Sequence, residues 1–293
     1  MQSTYHKPVL VQEVLDYLAP QKGGVYVDAT FGGGGHSRAI LTAQPDCMII
    51  ACDWDAKAIE MNRVALETDF PGRISFVWGN FANLEHLLKK HGTGKVDGIL
   101  VDFGTSQYQI KERAGFSFSA KTHLDMRMSP AHQKITAADI LNKATESELI
   151  TIFKEFGQEP HARKIARAIC EVRQERRFFY TSDVTELVLK LVPYTVRGIN
   201  PATRVFQALR IAVNKELDNI KSFLLQAPRL LKSGGRLVCI SFHSLEDRLV
   251  KQFIKDHDQE FENLTPKVIV GTPEEIKANP SARSAKLRAA RRL

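Results

Sequence analysis

The chain reads as an α/β protein, a Rossmann-like doubly wound sheet, mostly parallel, with an antiparallel C-terminal edge and a helical insertion. Three observations predict this. Four short strand-like segments alternate with helical ones through residue 104; helical signals alone occupy much of the following stretch; and the strand rhythm resumes only at "GGRLVCISFHS" from Gly234. Alternating βαβ units imply a parallel sheet covered by helices on both faces. The last two strand candidates, "PKVIVG" and "SAKLRAARR", follow one another through a polar, Pro-containing loop without a crossover helix. Consecutive strands of that kind pair antiparallel.

The first strand, "GVYVDAT" from Gly24, alternates apolar residues up to Asp28 and runs into four glycines, Gly32 to Gly35, before Ser37–Leu41 can start a helix. Strand, glycine loop and helix bring backbone N–H groups to the mouth of the sheet, where an anionic or zwitterionic ligand can sit. The second strand, "CMIIACDWD" from Cys47, reaches Asp53; the third is "ISFVWGN" from Ile74; the fourth, "VDGILVDFG" from Val96, reaches Asp102. Each is short, rich in β-branched residues and closed by a polar residue or glycine. Binding residues are expected where such strands end.

The insertion is expected over residues 107–205, dividing a sheet domain made of 1–106 and 206–293. Within it, "TESELITIFKEFG" carries a capping box from Thr145 to Glu148 and a terminating Gly157. "EPHARKIARAICEVRQERR" has Pro160 at a plausible first helical position. Its Ile165, Ile169 and Val172 mark a buried side, leaving Arg163, Lys164, Arg167 and the Arg173–Arg177 cluster to other faces. "NPATRVFQALRIAVNKELDNIKSFLL" reads as one long helix capped by Asn200, with an apolar face at Val205, Leu209, Val213, Leu217, Ile220 and Leu224. On its polar side Arg204, Gln207 and Arg210 either meet a partner or lock the insertion onto the sheet.

Composition is that of a soluble globular protein, with 43% hydrophobic and 25% charged residues. The start "MQSTYHKPVL" lacks an apolar signal-peptide core, and no apolar run approaches the roughly 20 residues that span a bilayer. Cys47, Cys52, Cys170 and Cys239 lie in apolar surroundings without CxxC spacing, as buried free thiols in a reducing cytoplasm do. The net charge of +8 is unevenly placed: residues 105–210 carry 17 Lys and Arg against 11 Asp and Glu, and residues 281–293 carry 5 against none. Residues 1–104, with the glycine loop, carry 9 against 12. The asymmetry suggests a polyanion held by one part of the chain while chemistry proceeds in another.

The glycine loop is compatible with three cofactor classes. A Walker loop needs Gly-Lys-Ser/Thr, whereas here the glycines run into His36-Ser37. The dinucleotide GxGxxG fingerprint is imperfect, its last position falling on Ser37 or Arg38. Asp53, 21 residues after Gly32, can accept both ribose hydroxyls of either NAD or S-adenosylmethionine. Acidic ends on the first and fourth strands, Asp28 and Asp102, favour the latter, whose ammonium and sulfonium are cations that NAD lacks.

The segments "HKPVL", "DATFGGGGHSRAIL", "VDGILVDFGTS", "GFSF", "LDMRM", "IARAI", "NPATRVFQALRIAVNKEL", "GGRLVCISFHSLEDRLVK" and "NPSARSAKLR" occur in this order over essentially the whole chain. In this the chain resembles the bacterial small-subunit ribosomal RNA cytosine-N4 methyltransferases. The resemblance implies S-adenosylmethionine as cofactor and, as substrate, a cytosine in the decoding region of 16S ribosomal RNA, within the small subunit. It places cofactor contacts on Gly34, Gly35, His36, Asp53, Phe81, Asp102 and Gln109. One departure follows the fourth strand: the family usually reads Asp-Leu-Gly-Val-Ser-Ser-Pro-Gln-Leu-Asp, and this chain reads "DFGTSQYQIK". That leaves the shape of this loop and the exact target open.

Methyl transfer from a sulfonium calls for no metal. The cytosine N4 lone pair is delocalised into the ring, so the enzyme must hold nitrogen and methyl in line, about 3–3.5 Å apart, and offer acceptors to the amine hydrogens. Asp102 is the candidate catalytic residue, beside its role as a cofactor contact. "FHSLEDR" does not supply a Ser–His nucleophile, because neighbouring residues on a strand end point apart; Ser244 with Asp247 reads as a helix cap, and His243 as lining the base pocket. His36 reads as a loop residue beside the cofactor. Arg163, Lys164, Arg167, Arg204 and Arg210 are the candidate RNA contacts. A homodimer is compatible with the sequence. Two rivals stay open: a related methyltransferase with another RNA or a protein target, and a non-catalytic RNA-binding assembly factor.

Overall fold

The computed structural model describes residues 8–104, 114–117, 121–192 and 200–293. Its chain divides into two compact units, Met1–Ser106 with Leu217–Leu293, and Gln107–Glu216. The second boundary therefore falls at 216/217, where the sequence reading placed it at 205/206.

In chain order the first unit opens with α1 (Val11–Leu18), β1 (Val25–Asp28), α2 (Gly35–Ala43), β2 (Met48–Asp53), α3 (Ala56–Asp69), β3 (Ile74–Trp78), α4 (Leu84–His91) and β4 (Val96–Asp102). The second unit contains α5 (Ala137–Lys143), α6 (Glu146–Glu155), α7 (Ala162–Glu175), α8 (Thr181–Leu191) and α9 (Ala202–Asn214). After α10 (Glu216–Leu224) and α11 (Ala227–Leu230), the first unit resumes with β5 (Leu231–Ser241), α12 (Ser244–Asp256), β6 (Phe261–Asn263), β7 (Ile269–Val270), α13 (Pro273–Ala278) and β8 (Lys286–Arg292).

The sheet runs β3-β2-β1-β4-β5-β8-β6, with β7 also on β8. β3, β2, β1, β4 and β5 are parallel, and β8 is antiparallel to β5, β6 and β7. The predicted antiparallel edge is present. It differs in detail: β6 was not anticipated, and "PKVIVG" contributes only the two-residue β7, because β8 is the strand to which both short pieces pair. β1 lies between β2 and β4, so the order of strands reverses there. At such a reversal the loops leaving the two strands diverge and open a crevice at their carboxyl ends.

Alternation along the strands divides the sheet's two faces. Val27, Ile99, Val101, Leu237 and Cys239 join one buried cluster, and Tyr26, Leu100, Val238 and Ile240 the other. Both faces are covered, which is why these strands read as nearly continuous apolar runs. Cys47, Cys52 and Cys239 are buried in this core, Cys170 is half-buried, and all four are free. Burial pushes the Cys52 and Cys239 thiols up, so they are inert as nucleophiles. No helix among the described residues is long and apolar enough to cross a membrane.

The second unit has its own core, with Leu141, Leu149, Phe153, Ile165, Ile169, Phe178, Val184, Val188, Val205 and Leu209 buried together. The expected capping box opens α6: Thr145 N–H donates to Glu148 Oε2 at 2.7 Å, and Glu148 N–H to Thr145 Oγ1 at 3.3 Å. Asn200 Oδ1 accepts from Ala202 N–H at 2.9 Å, capping α9 as anticipated.

The long helix expected from Asn200 to Leu224 is two helices. Lys215 adopts φ 51°, in the left-handed region, between α9 and α10. The apolar stripe that looked continuous serves two cores: Val205, Leu209 and Val213 pack in the helical unit, whereas Leu217, Ile220 and Leu224 pack in the sheet unit. A residue with a Cβ is strained in the left-handed region by about 1–2 kcal/mol. Lys215→Gly should therefore stabilise the protein by about 0.5–1 kcal/mol, part of the relief being offset by the looser unfolded chain, and the β-branched Lys215→Val should destabilise it. Denaturant unfolding of the two variants checks this; equal stabilities would contradict a left-handed break at this position.

Candidate active site

The carboxyl ends of β1, β2, β4 and β5 carry the candidate residues of the first unit. After β1 the chain turns at Phe31, whose N–H donates to Cys52 O at 2.9 Å and whose carbonyl accepts from Gly34 N–H at 2.8 Å. Gly34 has φ 73°, and a Cβ there would lie 2.6 Å from Leu66 Cδ1 and 2.7 Å from the Phe31 ring. A Cβ on Gly35 would lie 2.8 Å from Pro8. Sterics thus demand glycine at both positions, and α2 begins at once, its first-turn N–H groups lacking intrahelical acceptors.

Two buried carboxylates hold this loop. Asp28 Oδ2 accepts from Ser37 Oγ at 2.7 Å and Oδ1 from Thr30 N–H at 3.3 Å. Burial raises its carboxyl above the usual range, opposed by His36 and the Ser37 hydroxyl. Asp53 Oδ2 accepts from Gly32 N–H, and Oδ1 from Asp55 N–H, each at 2.8 Å. Burial pushes the Asp53 carboxyl up to about 7, against the lowering pull of those two donors. Each oxygen of a carboxylate has two acceptor positions. Asp53 therefore keeps one on each oxygen beyond its backbone partners, the pattern that a vicinal diol requires.

The remaining candidates are placed as follows. The His36 ring is buried, and its Nε2 meets Val9 O at 2.8 Å, so this side chain fastens the N-terminal segment; its backbone lies in the first turn of α2. Phe81 sits half-buried in a 3₁₀ turn after β3, against Phe103 and Phe223 with ring centroids 5.9 Å apart in both pairs. Half-buried Asp102 ends β4, its Oδ1 accepting from Gly104 N–H at 2.8 Å and its own N–H donating to Thr30 Oγ1 at 2.7 Å. Gln109 lies outside the described residues. Sequence reading missed Thr30 and Ser37, the hydroxyls that tie the acidic strand ends to the loop; their place between Asp28 and the helix start was the available signal.

His243 follows β5. Its ring is largely buried, and Nε2 lies 3.1 Å from Glu246 Oε1, yet neither ring nitrogen completes a hydrogen bond among the described residues. The expected Ser244–Asp247 cap is not what forms. Glu246 Oε2 accepts from Phe242 N–H at 2.7 Å and His243 N–H at 3.2 Å, whereas Asp247 receives Arg288 at 2.6 and 3.2 Å. An arginine from distant β8, invisible in local sequence, claims the acid that spacing had assigned to the helix.

In the helical unit, Arg163, Lys164 and Arg167 are exposed along α7, with Lys164 Nζ donating to Leu191 O at 2.9 Å. Arg204 is exposed on α9. Arg210 is engaged differently: its Nε and Nη2 donate to the two oxygens of Glu216 at 2.9 Å each. That fork-to-fork pair ties the end of α9 to the residue after Lys215 and makes Arg210 a structural residue of this unit.

A model of the MraW methylase family matches residues 3–293. The "Ribosomal RNA small subunit methyltransferase H" of Cyanothece sp. is 48% identical over 289 residues, covering 98% of this chain and 95% of that protein. The protein of the same name from Paramagnetospirillum magneticum is 45% identical over 307 residues, again covering 98% and 95%. Among solved structures, TrmN from Thermus thermophilus matches with a TM-score of 0.47 at 13% identity, over 97% of this chain and 48% of that one.

The raised Asp53 carboxyl has a consequence for stability. The folded state holds this proton more tightly than the unfolded chain, whose Asp titrates near 4. Its contribution is therefore fully present below about pH 4 and lost as pH rises through about 7, a change of order 4 kcal/mol at about 1.4 kcal/mol per unit. Asp53→Asn removes this titration, so the stability of the variant relative to wild type should rise by a few kcal/mol between pH 4 and 8. Denaturant unfolding at several pH values measures it; a gap independent of pH would contradict the buried carboxyl.

Proposed function

The chain belongs to the MraW methylase family, and we propose that it transfers a methyl group from S-adenosylmethionine to the N4 amine of a cytosine in the decoding region of 16S ribosomal RNA, within the small subunit. The observation that carries this reading is the set of acidic strand ends beside a glycine loop whose Gly34 and Gly35 admit no Cβ. The donor set suits the cofactor. Asp53 retains an acceptor position on each oxygen for the two ribose hydroxyls. Gly34, Gly35 and the backbone of His36 line the loop, Phe81 offers a half-buried apolar surface, and Asp102 brings negative charge towards a cationic methionine moiety. Gln109 is a further cofactor contact on this reading.

S-adenosylmethionine supplies an electrophilic methyl on a sulfonium, chemistry that requires no metal. The protein's part is positioning and proton acceptance. Asp102, at the end of β4, accepts a hydrogen bond from the cytosine amine, which localises the N4 lone pair, and then takes the amine proton once nitrogen has gained its fourth bond. The carbonyls of Phe103 and Gly104 are the other acceptors at that strand end. His243, its Nε2 beside Glu246 Oε1, lines the base pocket. A base stacked or paired in RNA hides its N4 lone pair, so the cytosine must be turned out of its stack. Arg163, Lys164, Arg167 and Arg204, exposed on the helical unit, hold RNA phosphates.

Incubation with small subunits from cells lacking this activity, followed by nuclease digestion and mass mapping, should give N4-methylcytidine at one position in the decoding region. Methylation elsewhere in the RNA, or of a protein, would overturn the specificity, and no methylation would overturn the activity. Asp102→Asn should weaken cofactor binding and, at saturating cofactor, still lower turnover by about 10²–10⁴-fold, the range for loss of a proton acceptor. Wild-type turnover at saturating cofactor would confine Asp102 to the cofactor's ammonium.

A further inference from the structure

Besides the α7 face, the helical unit bears a second cationic feature around an exposed aromatic ring. Between α7 and α8 the chain is pinned at three points. Phe178 is buried, its N–H donating to Asn142 Oδ1 at 3.0 Å and its carbonyl accepting from Asn142 Nδ2 at 2.9 Å. Asp183 Oδ2 accepts from the N–H groups of Phe179 and Tyr180, both at 2.9 Å. Leu124 N–H donates to Phe179 O at 2.9 Å. A backbone so fixed cannot fold Phe179 inward, and its side chain stays 53% exposed. Tyr180, next to it, is covered on its ring by His123, stacked at 5.1 Å, and by Lys121 Nζ at 5.1 Å.

Phe179 forms one wall of a cleft of about 400 Å³, whose polar lining is Asp139, Asn142, Lys143, Arg173, Gln174 and Arg177. Three cations thus face one anion, and that anion is paired, Lys143 Nζ lying 2.7 Å from Asp139 Oδ1. Arg173 caps α5 through the carbonyls of Leu141 and Ala144, at 3.0 and 2.5 Å, so it contributes fixed charge. Arg177 is exposed at the rim. The whole unit carries 18 Lys and Arg against 12 Asp and Glu, and the cleft falls within the ~300–1,000 Å³ range of small-ligand sites.

An apolar partner would match Phe179 but leave three cations facing it, and a simple phosphate would leave the ring idle. A ligand with a flat π-face and a phosphate satisfies both. We propose that this cleft is a subsite for one unstacked nucleotide of single-stranded RNA, its base on the Phe179 ring and its phosphate against Arg177 and Lys143. The proposal rests on the RNA-methylating reading above and adds a second contact, remote in function from the methylated base, that holds a flanking single strand. Stacking tolerates any base, so this subsite reads strandedness, not sequence.

The test is fluorescence anisotropy of a labelled single-stranded cytidine-rich RNA oligomer with the full-length protein. Phe179→Ala should weaken binding by about 5- to 100-fold, the loss of one stacked base, with S-adenosylmethionine affinity at the wild-type level as the check on folding. Phe179→Trp should retain binding, with the emission of the introduced indole quenched by the RNA. Arg177→Gln should reduce the slope of log K against log salt by about 0.7. A double-stranded RNA of equal length should bind without dependence on Phe179. Undiminished single-strand binding by Phe179→Ala overturns the subsite while leaving the methyl-transfer reading intact. Failure of wild type to bind any RNA overturns both.

Discussion

The hydrogen bonds from Gly32 N–H and Asp55 N–H to the Asp53 carboxylate fix the rest of the first unit's site. One donor comes from the glycine loop and the other from the turn into α3, so a single side chain at the end of β2 sets the geometry of both. Asn62 on α3 reaches back to Gly32 O at 3.4 Å, and Asp28 secures the far side of the loop through Ser37. The arrangement is expensive. A carboxyl removed from water and set beside Asp55 and Asp28 resists ionisation, and only the backbone donors and any bound ligand oppose that. Carboxyls perturbed by burial in this way concentrate at functional sites.

The fold was legible because its main signals are local and redundant. Parallel strands buried on both faces announce themselves as β-branched runs, and three of them end in an acid: Asp28, Asp53 and Asp102. Capping boxes such as Thr145–Glu148 were equally readable, since all their atoms lie within one turn. What sequence could not show was which partner would claim each side chain. Asp247 had the spacing of a cap, but Arg288 takes it, and Glu246 caps α12 in its place. Arg210 had the spacing of a polar binding face, but Glu216 holds it. His36 stood in the loop, yet its ring serves Val9.

Lys215 shows a different limit. The stripe from Val205 to Leu224 keeps helical periodicity straight through a left-handed residue, because the segments before and after it each need an apolar face. Periodicity reports that a face is buried and not what it is buried against. The boundary between the two units is written in a backbone dihedral that a lysine does not advertise, where a glycine would have done so. The same limit hid the cleft beside Phe179. "RRFFY" reads as basic and aromatic, but only the three-point pinning by Asn142, Asp183 and Leu124 determines that Phe178 turns in and Phe179 out.

If the Asp53 carboxylate is shared between the loop and a ribose diol, binding of S-adenosylmethionine must hold it ionised and expel its proton. Titration calorimetry at pH 7 in buffers of different ionisation enthalpy measures that proton directly. The account predicts release of a fraction of a proton per site, vanishing towards pH 9 where the carboxylate is already ionised, and absent in Asp53→Asn at every pH. A binding enthalpy independent of buffer at pH 7, or proton release that persists unchanged in Asp53→Asn, would contradict it.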